Sequence, residues 1–153
     1  MKKSKSQFLD ELRMEVGLAY DYSSNKEEFL EKVLRTIYHA GVNHCILAVY
    51  SPMTNGGFKR EFVLGETMAR KGKRFGFGFI SLCSFRGTVL MKKNGNQIIL
   101  APIYEEEKLA YVISLNISAS AYLITQQDID FINELVKFIE MKRMAFIEEE
   151  EEA

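Results

Sequence analysis

Between Met68 and Leu82 the chain gathers the side chains best suited to binding chemistry. Met68-Ala69-Arg70-Lys71-Gly72-Lys73-Arg74 runs into Phe75-Gly76-Phe77-Gly78-Phe79-Ile80-Ser81-Leu82. Arg70, Lys71, Lys73 and Arg74 could neutralise phosphate oxygens, and rings at period two offer faces on which flat bases stack. Gly76 and Gly78 would leave bare backbone on the other side of such a strand, so a helix or a ligand approaches it closely. The same glycines could let backbone amides cradle a phosphate. Arg74, Phe77 and Phe79 would then be the contacts to a nucleotide. The plainer alternative is a sheet strand with an aromatic core face.

Thiols and imidazoles are few. Cys45, Cys83, His39 and His44 are the only ones. His44 and Cys45 are adjacent, so on a strand they point to opposite faces, and no pair has a useful ligand spacing. No metal site is expected. Cys83 lies near Lys73 and Arg86 in sequence, cations that would favour a thiolate, but a thiol enzyme also needs a resolving partner. No Ser/His/Asp set or paired carboxylates stand out, and Glu105-Glu106-Glu107 reads as solvated turn charge. No catalytic residue is assigned.

The 153 residues, 47% of them hydrophobic, suit one domain with a real core. No apolar run approaches eighteen residues, and the Lys-rich start leads into an amphipathic segment rather than a signal core, so no membrane partner is expected. Two cysteines fit a reducing compartment, and the expected location is cytoplasmic. The net charge of -1 hides a basic remainder, because Glu148 to Glu152 are five consecutive glutamates. Residues 148–153 are expected to be a frayed acidic tail, or the place where a longer chain was divided.

These residues need a scaffold, and the stretch from Ile98 to Ile117 supplies its centre. Ile98-Ile99-Leu100-Ala101-Pro102-Ile103, a charged turn, and Leu109-Ala110-Tyr111-Val112-Ile113-Ser114-Leu115 read as a buried antiparallel hairpin. Phe8, Leu12, Val16 and Tyr20 form the stripe of a helix over 6–20. Ser24 and Glu27 form a capping box before a second helix, which should stop at Gly41. His44 to Tyr50 is nearly continuous in its apolar character, as an interior strand is. Strands are also expected over 58–64, 75–79 and 88–91. Thr125 caps a last helix that is apolar over more than one stripe, from Ile129 to Ile147.

The order of these elements resembles that of a GAF domain. Leu100-Ala101-Pro102-Ile103, the turn and Leu109 to Leu115 resemble the family's central hairpin. Leu123-Ile124-Thr125-Gln126-Gln127-Asp128-Ile129 resembles its approach to the last helix, and Asn25 to Ala40 with His44 to Tyr50 its opening helix and first strand. The likeness spans residues 5–147. It implies an α+β fold, an antiparallel sheet of five or six strands with N- and C-terminal helices packed on one face. It also implies a sensory domain of a signalling protein, within the GAF/PAS-like superfamily. Two departures bear on function. The Asn-Lys-x-x-Phe signature of cyclic-nucleotide-binding members is absent, and Cys83 is followed by Ser84 where bilin-binding relatives have His.

The resulting expectation is a non-catalytic regulatory domain that binds a small molecule or mediates dimerisation. The ligand contacts are taken as Arg74, Phe77, Phe79, Cys83 and Tyr111, with the cofactor unknown. A homodimer through the terminal helices would use Leu12, Val16, Leu135, Ile139 and Phe146. A fused output domain is a further possible partner. One alternative is a nucleic-acid-binding module using residues 70–82, because Gly76 to Leu82 resembles most of the RNP1 strand of RNA-recognition motifs. RNP1 opens with Lys or Arg where this chain has Phe75, so nucleic acid is not the expected partner. The other is a thiol enzyme of the methionine sulfoxide reductase type. GAF-like relatives of that type generally carry three cysteines where this chain has two.

Overall fold

The computed structural model describes residues 4–40, 45–54, 57–65 and 87–152. Its centre is a pair of long strands, β4 (Asn96–Glu105) and β5 (Lys108–Ser118). Ile99 lies opposite Leu115 and Ala101 opposite Ile113. Opposed residues of an antiparallel pair share a face, so the odd-numbered residues of both strands point the same way over this stretch. On the far side of β5 lies β1 (Cys45–Pro52), with Leu47 opposite Leu115 and Val49 opposite Ile113, which keeps the same parity. β2 (Phe58–Leu64) and β3 (Val89–Lys93) form the edges of an antiparallel sheet in the order β2-β1-β5-β4-β3. Five strands are thus present among the described residues. The strand expected over 75–79 lies outside them.

Two of the connections are two-residue turns with positive φ at both positions, as type I′ hairpins require. Between β3 and β4 they are Asn94 (φ 50°) and Gly95 (φ 79°), residues that adopt this region readily. Between β4 and β5 they are Glu106 (φ 51°) and Glu107 (φ 67°), which do not. At the end of β2, Gly65 has φ 105°, and a Cβ there would stand 2.5 Å from the Cys45 carbonyl oxygen. Only glycine lets β2 close against the start of β1.

Three helices cover the odd-numbered face. α1 (Lys5–Asp21) starts with a capping box between Ser4 and Gln7, and buries Leu9, Leu12, Val16 and Ala19. α2 (Lys26–Tyr38) is capped by Asn25, whose side chain accepts from the Glu28 N–H. The cap is therefore one residue later than the expected Ser24, because asparagine performs the same task there. α2 ends at Tyr38 with His39 as its C-cap; Gly41 lies outside the described residues. α3 (Gln126–Glu152) buries Phe131, Leu135, Ile139, Arg143 and Phe146 on one stripe. Its N-terminus is fixed by Asp128, whose Oδ2 accepts from the Thr125 N–H at 2.8 Å and from Lys5 Nζ at 2.7 Å, while Tyr122 OH donates to its Oδ1.

Two expectations need correcting. α3 continues as helix through Glu148–Glu152 instead of fraying at Ile147. Like charges in the last turn weaken a helix by tenths of a kcal/mol, which the roughly six turns of helix upstream, packed along one stripe, outweigh. The extra apolar breadth of α3 is also used within the chain. Leu12, Val16, Leu135, Ile139 and Phe146, placed above at a dimer interface, all lie in the domain's own core, at 0 to 7% exposure. α3 meets β4 with one side and both other helices with its flank: Phe146 packs on Tyr20 and Phe29, and Phe138 on both as well. The second helix that its breadth requires is in the same chain.

The Glu106-Glu107 turn is the weakest local fit between sequence and backbone. Glu106→Asn with Glu107→Gly should raise stability by about 1 kcal/mol, since both replacements accept positive φ with less strain. Urea unfolding of the double variant checks this, and an unchanged or lower midpoint would contradict it.

Candidate functional site

The alternation of the strands gives the sheet two unlike faces. On the odd-numbered face Leu47, Val49, Ile99, Ala101, Ile103, Ile113 and Leu115 pack beneath the helices. The even-numbered face holds a second, smaller apolar cluster: Ile98, Leu100 and Val112, with Tyr50, Phe58, Val89, Met91 and Leu109 packed against it. Ala48, Leu100 and Ser114 form one row across three strands, and Ile46, Asn116 and Ile98 form the next. Ala48 and Ser114 are the smallest residues here, set beside larger Leu100, Val112 and Tyr50. Ser114 is 2% exposed and Leu100 and Val112 are fully buried. The described helices all pack on the opposite face.

One polar group at its margin has a defined state. Burial pushes the Tyr50 phenol up, against a weaker opposing effect from Arg60, so it stays protonated and can donate a hydrogen bond at neutral pH. Arg60 is opposite Tyr50 across β1 and β2, next to a register shift that bends the strand. The face therefore offers an apolar floor, the Ser114 hydroxyl, the Asn116 amide, a phenol and a nearby cation.

A charged cluster joins this sheet to α3. Arg143 projects from the buried stripe of α3, and is itself 2% exposed. Its Nη1 donates to the Lys26 carbonyl at 3.0 Å and its Nη2 to Glu105 Oε2 at 3.0 Å, with the guanidinium 5.0 Å from the centre of the Tyr111 ring. Lys26 Nζ reaches the other Glu105 oxygen at 2.6 Å. Arg143 Nε has no hydrogen-bond partner among the described residues. One turn earlier, Glu140 accepts from the Tyr104 N–H at 3.2 Å. Burial pushes the Glu105 carboxyl up, but the hydrogen bonds and charges of Lys26 and Arg143 pull harder, and it ends below its ordinary range. The end of β4, the start of α2 and the middle of α3 are thereby held at one point.

Of the ligand contacts expected from sequence, Arg74, Phe77, Phe79 and Cys83 lie outside the described residues, as does the rest of the 70–82 segment. Tyr111 is on the odd-numbered face, beneath Arg143, and so does not line the even-numbered face. Cys45 also faces the helices, 6% exposed, and burial pushes its thiol up to about 11. It is protonated at neutral pH and unsuited to nucleophilic work. His39 is exposed at the end of α2, and His44 lies outside the described residues. Ser114, Asn116 and Tyr50 were not singled out from the sequence. Their signal was polar residues at even positions within otherwise apolar strands. Arg143 had a signal too, a cation four residues after Ile139 in a core stripe.

Solved structures with this architecture identify the fold. The GAF domain of a phosphoenolpyruvate-protein phosphotransferase from Coxiella burnetii matches with a TM-score of 0.71 over 98% of this chain and 100% of its own, at 12% identity. The fold is that of a GAF domain. A second such domain, from an Acinetobacter phosphoenolpyruvate-protein phosphotransferase, gives 0.65 over 94% and 95% of the two chains, at 15% identity. The fRMsr of Staphylococcus aureus, in complex with substrate, gives 0.70 over 94% and 98%, at 14% identity. No family model and no curated protein matches the sequence. Among the described residues, no helix of this GAF fold is long and apolar enough to cross a membrane.

The Glu105 cluster sets a pH dependence. A carboxyl held below its ordinary range in the folded protein contributes stability that is present above the unfolded value, about 4.3, and is lost as pH falls through the lowered folded value. Glu105→Gln should therefore cost about 1–3 kcal/mol at pH 7, by weakening two charge-assisted hydrogen bonds to a buried arginine. It should also make the acid limb of the stability curve shallower. Urea titrations at pH 7 and pH 3 measure both; equal losses at the two pH values would be inconsistent with the assignment.

Proposed function

We propose that this chain is a non-catalytic sensory or regulatory domain that binds a small molecule on the even-numbered face of its sheet. The observation that carries the reading is the placement of Ser114 and Asn116, polar residues of the central strand set among Ile98, Leu100 and Val112. Small-molecule sites are mostly apolar with a few placed polar groups that orient the ligand. A ligand suited to this face is compact and largely apolar, with one or two hydrogen-bonding groups for Ser114, Asn116 or the Tyr50 phenol. Binding would favour one arrangement of the sheet over another, a shift in population. The Glu105–Arg143 contact gives such a shift a route into α3. Regulation is also what a GAF domain within a phosphotransferase suggests by analogy.

The likeness to fRMsr favours a second reading, a thiol-based reductase of the methionine sulfoxide type. Cys45 is poorly placed for it, buried on the helix face with its thiol held protonated. The reaction would therefore depend on Cys83. Incubation with free methionine sulfoxide and a dithiol reductant should give no turnover; turnover that Cys83→Ser removes would establish the enzyme instead.

A thermal-shift screen with nucleotides, amino acids and haem tests the sensory reading directly. A true ligand at about a hundred times its Kd should raise Tm by about 5–10 °C, because it binds only the folded state. Ser114→Leu should keep the far-UV spectrum and abolish that rise by replacing a polar group of the site with a larger apolar one. A rise that survives Ser114→Leu would move the site elsewhere.

A further inference from the structure

We draw no further inference here: the strongest candidate, the apolar cavity of about 10 Å³ between α2, α3 and the odd-numbered face of the sheet, lined by Ile37, Leu47, Ala101, Ile132 and Val136 among others, has room for no more than a single water-sized atom and no polar side chain that would select a ligand.

Discussion

The parity of the central strands governs this molecule. β1, β4 and β5 are paired so that odd-numbered residues face the helices and even-numbered residues face the other way across the central rows. Both faces are buried at their centre, which explains why these strands read as nearly continuous apolar runs and not as alternating ones. The helix face takes the larger side chains and most of the hydrophobic stabilisation. The opposite face sets Ala48, Ser114 and Asn116 among Ile98, Leu100 and Val112, which contributes less apolar burial and adds polarity. That difference is the physical basis for placing a ligand there.

α3 depends on two charged contacts, one for each part of its length. Near its start Lys5 reaches Asp128 and the Leu123 carbonyl, and its ammonium lies 4.5 Å from the Tyr122 ring. Near its middle Arg143 and Lys26 share Glu105. Buried pairs of this kind add little net stability compared with a packed apolar substitute, but they tolerate only one register, because slipping α3 would leave a buried guanidinium without its carboxylate. The same contact attaches α3 to the turn between β4 and β5. Glu106 and Glu107 hold positive φ in that turn, next to the carboxylate that the cluster needs. Local backbone strain and the buried charge thus occur together where sheet and helix are coupled.

Much of this architecture was legible in the sequence. Apolar periodicity located α1, α2, β1, the central hairpin and α3, because burial of one stripe or of whole strands leaves a direct imprint on residue order. Burial partners were less legible. Leu135, Ile139 and Phe146 belong to a broad apolar surface, and sequence cannot say whether such a surface is met by a second molecule or by a distant helix of the same chain. Here α1 and α2 meet it, brought there by sheet topology. The cap of α2 moved one residue because Ser24 and Asn25 are both competent acceptors. The chemistry was least legible, since Ser114 and Asn116 acquire meaning only from the rows they share with Ala48 and Ile98.

Parity also separates the two functional readings. Residues one apart on a strand face opposite sides, so identity within a motif says nothing about use until the register is known. Cys45 and Tyr111 have the chemistry expected of a site and lie on the helix face, where one is held protonated by burial and the other supports a buried cation. Ser114 and Asn116 have modest chemistry and lie on the other face, among Ile98, Leu100 and Val112. A reductase built on this sheet would have to draw its thiol from somewhere other than β1, whereas a binding site can use the central strand as it stands. Register therefore sets Cys45 and Tyr111 on one side of the sheet and Ser114 and Asn116 on the other.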